Sequence, residues 1–94
     1  MLDTMALLVL DVRTPAEYAA GHLRGAVNLD LRDPGFHHRI GLLNRADSYV
    51  VYCNGGRRAG RARDLMEGLG FTDVASYSIH GAGVATRLPI VEDS

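Results

Sequence analysis

The sequence predicts an α/β domain in three layers: a small parallel sheet of about four strands, flanked by helices on both faces. Short apolar runs at residues 7–12, 26–29, 49–52 and 74–77 have the length of strands. Helix-period or helix-capping patterns lie between most of them, the alternation that parallel strands need for their crossovers. The first run is almost unbroken rather than alternating, as expected of a parallel strand covered on both faces.

The apolar stretch at residues 5–10 falls far below the roughly 20 residues of a membrane helix. It has no basic flank before it and no cleavage signal after it, so it is read as a buried strand and not as a targeting segment. Asp11 and Arg13 stand at the carboxyl end of this strand, the end where open parallel sheets place their ligands. They are either a charged strand exit or loop support, and Asp11 is expected to brace the active loop or its arginine from below.

Thr14-Pro15-Ala16-Glu17 is a capping box with proline at the first helical position. A short helix follows, Glu17 is read as chiefly structural, and Gly21 is expected to end the helix in the left-handed conformation. His22 has no histidine at helical metal-pair spacing, and the adjacent His37 and His38 point apart, so no metal site is expected.

Asp33-Pro34-Gly35 is turn chemistry, and Phe36, Ile40 and Leu43 suggest a modest helix behind it. A polar connection at residues 44–48 leads to the strand at 49–52. After a glycine-rich turn, Ala59, Ala62, Leu65, Met66 and Leu69 share one helix face, a core stripe. Gly70 suits the position just past that helix, with Phe71 packing back on the last turn. No repeats, linkers or low-complexity segments interrupt the chain.

The chemistry concentrates in residues 49–59, Tyr-Val-Val-Tyr-Cys-Asn-Gly-Gly-Arg-Arg-Ala. A strand delivers the sole cysteine, Cys53, to a turn in which Gly55 and Gly56 let several N–H groups converge, just before a helix N-terminus. Such a cradle stabilises an anion. It favours thiolate over thiol at Cys53, and thiolate is the nucleophilic form.

Two separated motifs give this chain a family resemblance. Cys53, Gly56, Arg58 and Ala59 match the Cys-x-x-Gly-x-Arg-(Ser/Thr/Ala) loop of rhodanese-like sulfurtransferases. Residues 7–28, Leu-Leu-Val-Leu-Asp-Val-Arg-Thr-Pro-Ala-Glu-Tyr-Ala-Ala-Gly-His-Leu-Arg-Gly-Ala-Val-Asn, resemble that family's opening signature, within which His22 is read as structural. The similarity runs over about residues 7–89. It implies a Cys53 persulfide formed from an anionic donor such as thiosulfate and passed to cyanide, a thiol or a protein, with no cofactor beyond the persulfide. Backbone N–H groups of Asn54, Gly55, Gly56, Arg57, Arg58 and Ala59 would hold the charged outer sulfur, and Arg57 and Arg58 would attract the donor. The chain departs from the family at both ends. Residues 1–6 replace the usual first strand and helix, and Gly81-Ala82-Gly83 leads to Pro89 without the family's tryptophan. Residues 1–94 are expected to be one domain with a shortened N-terminus.

At 94 residues the chain can bury roughly 60–70% of its unfolded surface. A hydrophobic fraction of 47% with 22% charge is that of an ordinary globular protein. A net charge of −1 gives no whole-domain attraction for nucleic acid. Arg57, Arg58, Arg61 and Arg63 still form a local cluster, and Arg61 and Arg63 fit a solvated helix face equally well. A single cysteine forms no internal disulfide, so a reducing, cytoplasmic setting is the expectation. Two rival readings remain at this point. A phosphatase or arsenate-reductase loop would place five residues between cysteine and arginine, whereas four separate Cys53 from Arg58 and make a tighter ring. A sulfur carrier or binding module in a protein relay would retain the same cysteine.

Overall fold

In a computed structural model, which describes residues 6–92, the expected sheet is present with four parallel strands. Strands β1 (Leu7–Asp11), β3 (Val27–Asn28), β4 (Ser48–Cys53) and β5 (Val74–Ser78) lie in the order β3-β1-β4-β5. The connections carry helices α1 (Pro15–Ala20), α2 (Phe36–Gly41) and α3 (Arg57–Gly68), and α4 (Ile79–Thr86) follows β5. β1 and β4 are the central strands, and their register pairs Asp11 with Tyr52, while Cys53 pairs with Ser78 of β5. The carboxyl ends of β1, β4 and β5 therefore meet along one edge of the sheet.

The period of two along β4 sorts its side chains between two cores. Tyr49, Val51 and Cys53 belong to one cluster with Phe36 and Ile40 of α2 and Ala59, Ala62 and Met66 of α3. Val50 and Tyr52 belong to the other, with Val9, Leu23, Ala26 and Ala82, against which Tyr18, Ile79 and Leu88 pack. Two covered faces explain why β4 reads as continuous hydrophobicity. The same alternation turns Cys53 toward the face that α3 covers.

Local signals in the sequence have structural counterparts. Thr14 and Glu17 form the reciprocal capping box at the start of α1. At the end of α3, Gly70 has φ 99°, its N–H donates to Glu67 O, and the Phe71 N–H donates to Met66 O. This is the paired C-terminal motif that a left-handed glycine permits. Phe71 is buried and meets Tyr49 edge to face, ring centres 5.3 Å apart.

Two expectations are corrected. Gly21 ends α1 at φ 159°, ψ 133°, an extended backbone that turns directly into β2 (His22–Leu23) instead of a left-handed cap. The first strand is not buried throughout: Leu7 is 56% exposed and Leu8 half-buried, because coverage begins only at Val9. Met5 lies outside the described residues. The tail after β5 is ordered by devices that propensity did not announce. Ser78 caps α4, and β6 (Ile90–Val91) pairs antiparallel with β2, with Arg24 N–H donating to Pro89 O. Buried Ala82, with partly buried Ile79 and Leu88, packs this tail against Leu23 and Tyr52.

Candidate active site

Cys53 is the last residue of β4 and is 2% exposed. The chain then turns through Asn54, Gly55 and Gly56 into α3. Gly56 has φ 93°, in the left-handed region, and a Cβ there would stand 3.7 Å from the Ser78 N. Glycine is required for the dihedral more than for the space. The bend aims the Gly56 N–H at Cys53 Sγ, 3.0 Å away, and the Ala59 N–H donates to the same sulfur at 3.3 Å. The sulfur thus sits at the N-terminus of a 12-residue helix, where the first N–H groups lack intrahelical acceptors and the helix end carries partial positive charge. An anion on that sulfur, or on an atom bonded to it, is stabilised by fixed dipoles.

A belt of charged hydrogen bonds holds the loop from beside and below. Asp11, fully buried, receives Arg13 Nη2 at 2.6 Å and Nε at 2.9 and 3.0 Å on its two oxygens. Asp11 holds the Arg13 guanidinium more basic than its ordinary value, against the cost of burial. Arg13 then donates through Nη1 to Asn54 Oδ1 at 3.0 Å and through Nη2 to the Gly21 carbonyl. Asn54 Nδ2 donates to Glu17 Oε2 at 2.8 Å, and Glu17 receives Arg58 bidentately at 2.8 and 2.9 Å. Arg58, with the capping bonds from Thr14, brings the Glu17 carboxyl down to about 2. Tyr52 closes the underside: Arg13 lies 5.6 Å over its ring, its hydroxyl accepts from Leu23 N–H, and burial pushes its phenol well above the usual range.

The sequence-derived site residues are therefore gathered around one loop, in roles that differ from those first read. Asp11 reaches the loop only through Arg13, which donates to Asn54. Arg58, read as a cation for an incoming anion, is committed to Glu17. Glu17, read as chiefly a capping residue, joins α1, the loop and α3. The side chain of Asn54 is a structural bridge between Arg13 and Glu17. Local spacing could reveal the capping box but not the contacts of Glu17, which cross 41 residues to Arg58 and 37 to Asn54. Arg63 binds Ser76 and Asp64, away from the loop. His22 rests its Nδ1 on Tyr18 O and stacks on the Tyr18 ring, the satisfied structural histidine that was expected. No group of three or more metal-ligating side chains occurs among the described residues.

Arg57 and Arg58 occupy the first turn of α3, where no acidic residue stands. Cations there oppose the helix dipole at about 0.3–1 kcal/mol each. Because Arg58 is paired with Glu17, it is Arg57 that adds positive potential at the mouth of the cysteine loop. An open groove of about 380 Å³ lies against the first turns of α3, between Leu31, Arg32, Arg57, Arg58, Arg61 and Leu65.

Fold and site together define a parallel α/β protein with a cysteine held in a backbone anion cradle at a strand's carboxyl end. The chain belongs to the rhodanese-like domain family, whose sequence model matches residues 1–80. It is 34% identical over 65 residues to the Escherichia coli thiosulfate sulfurtransferase PspE, covering 69% of this chain and 62% of that protein. A Corynebacterium glutamicum thiosulfate sulfurtransferase is 33% identical over 114 residues, spanning 89% of this chain and 38% of its own length. The chain thus spans 62% and 38% of the length of these two relatives. Among solved structures, a rhodanese with anions from E. coli superposes with TM-score 0.76 at 28% identity, covering 93% of this chain and 99% of that one. The rhodanese-like domain of the Anabaena Alr3790 protein gives TM-score 0.78 at 25% identity, over 95% of each chain. Among the described residues no helix is long and apolar enough to cross a membrane.

Proposed function

We propose that the chain is a sulfurtransferase that moves a sulfane sulfur from an anionic donor such as thiosulfate to a thiophilic acceptor through a persulfide on Cys53. The observation that carries this reading is the seat of Cys53 Sγ under the Gly56 and Ala59 N–H groups at the N-terminus of α3. The Cys53 thiolate attacks the outer sulfur of thiosulfate. The S–S bond of the donor breaks, and sulfite leaves with its electron pair. The new outer sulfur carries the negative charge, which the loop N–H groups stabilise. Cyanide, a thiol or a protein thiolate then attacks that sulfur, and the Cys53–sulfur bond returns its pair to regenerate thiolate. No metal or organic cofactor is needed for either step. Reducing surroundings such as the cytoplasm suit a lone cysteine with this chemistry.

The test is intact-mass spectrometry of folded protein with a reduced cysteine. Thiosulfate adds the mass of one sulfur atom, cyanide or a reducing thiol removes it, and Cys53→Ser never shows the gain. No gain with thiosulfate or with any persulfide donor overturns the proposal.

A further inference from the structure

The groove beside the loop is larger than the donor needs. At about 380 Å³ it lies in the range of roughly 300–1,000 Å³ typical of sites for drug-sized ligands, whereas thiosulfate is a single tetrahedral anion. Its rim carries four arginines on a chain whose net charge is −1. Arg58 is paired with Glu17, but among the described residues no carboxylate forms an ion pair with Arg32, Arg57 or Arg61. Arg57 and Arg61 stand one helical turn apart on α3, and Arg32 faces them from the segment after β3. The Arg32 backbone is fixed by its N–H bond to Asp30 Oδ1 at 2.9 Å. Leu31 and Leu65, both partly buried against the core, supply apolar lining.

From these observations we infer that the groove docks an acidic segment of a sulfur-accepting protein, with carboxylates on Arg32, Arg57 and Arg61 and an aliphatic side chain on Leu31 and Leu65. This rests on the sulfurtransferase reading and names its acceptor class. Charge complementarity selects the anionic partner, and the leucines select one that also offers apolar surface. A nucleic acid is the poorer fit, because no aromatic side chain lines the groove for base stacking. The docked segment would bring an acceptor nucleophile to the loop mouth, where Arg57 and Arg58 belong to both the groove and the turn behind Cys53.

The test uses amide chemical-shift mapping on the intact chain, with a short peptide of alternating glutamate and leucine as the probe. Its glutamine counterpart, inorganic pyrophosphate and a short single-stranded oligonucleotide serve as comparisons. The acidic peptide is expected to shift the amides of residues 31–32 and 57–65. Raising the salt should weaken its binding. Arg32→Glu with Arg61→Glu should weaken it at least about tenfold, by removing two attractions and adding two repulsions. Thiosulfate-to-cyanide transfer should stay within about twofold in that variant, since neither residue touches the cysteine loop. Equal binding of the glutamine peptide, equal binding by the variant, or preference for pyrophosphate or the oligonucleotide overturns the docking proposal. Persulfide formation by mass is measured on the same samples, so loss of docking and loss of the chemistry are read separately.

Discussion

Asp11→Asn is the perturbation that best tests how the loop is supported. Asp11 is 0% exposed and Arg13 4%, and both Asp11 oxygens accept from the guanidinium. Asparagine keeps the shape but removes the charge, and its amide turns N–H groups toward Arg13 donors. A cation is left buried without its counter-ion, a loss of about 3–5 kcal/mol. A domain of this size has roughly 5–15 kcal/mol in all, so Tm should fall by roughly 12–40 °C. Urea unfolding followed by circular dichroism gives the free energy directly. Arg13→Met removes the stranded charge, so Asp11→Asn with Arg13→Met should cost clearly less than the sum of the single changes. A loss below about 1 kcal/mol for Asp11→Asn, or additivity of the two changes, would refute the claim that this pair sustains the loop.

Other outcomes follow from the same geometry. Glu17 is held at about 2 in the folded chain against 4.5 as a free side chain, so its contribution is complete above about pH 4.5 and lost as pH falls through about 2. Allowing for its partial exposure, Glu17→Gln should remove about 1–2 kcal/mol at pH 7 and flatten stability over that acid window, seen in pH-dependent unfolding. Gly56→Ala places a side chain at φ 93° and should cost about 1–2 kcal/mol while slowing persulfide formation, because the Gly56 N–H is aimed by that dihedral. Arg58→Ala should impair sulfur uptake from thiosulfate more than from a neutral donor, since it removes a cation and leaves the Glu17 carboxylate unpaired nearby; equal losses would give Arg58 a shaping role alone. Aryl phosphate hydrolysis should be absent in a preparation that transfers sulfur, and phosphate release abolished by Cys53→Ser would overturn the argument from the tight four-residue spacing.

Much of this architecture was legible because it is written in local periodicity. The almost unbroken run of β1 implied two covered faces, which Leu10 and Val9 meet in the two cores, and Gly70 with Phe71 implied the close of α3. What escaped depends on contacts distant in sequence. β6 is two residues long and exists through its pairing with β2, 67 residues earlier by the Leu23–Ile90 register, so propensity could not report it. Leu7 has the composition of a buried residue, and its exposure reflects which elements happen to cover it. The carboxylate for Arg58 was equally hidden, since several acidic residues could have served and only the fold brings Glu17 there.

Glu17 joins the two levels. Its Oε1 accepts from the Thr14 N–H and from Arg58, while Oε2 accepts from Asn54 and Arg58. One carboxylate thus fixes the start of α1, the turn after Cys53 and the start of α3. This explains the physical use of the separation between the two sequence motifs: the first supplies Asp11, Arg13 and Glu17, and the second supplies Asn54 and Arg58 that they hold. The belt also shapes the electrostatics of the mouth. By neutralising Arg58, Glu17 leaves the helix end, the Gly56 and Ala59 N–H groups and Arg57, which has no carboxylate partner among the described residues, to act on an anion there. Shape is then set by buried paired charges and attraction by the exposed cation next to the loop, so substitutions in the belt should register first as loss of stability and substitution of Arg57 first as loss of anion capture.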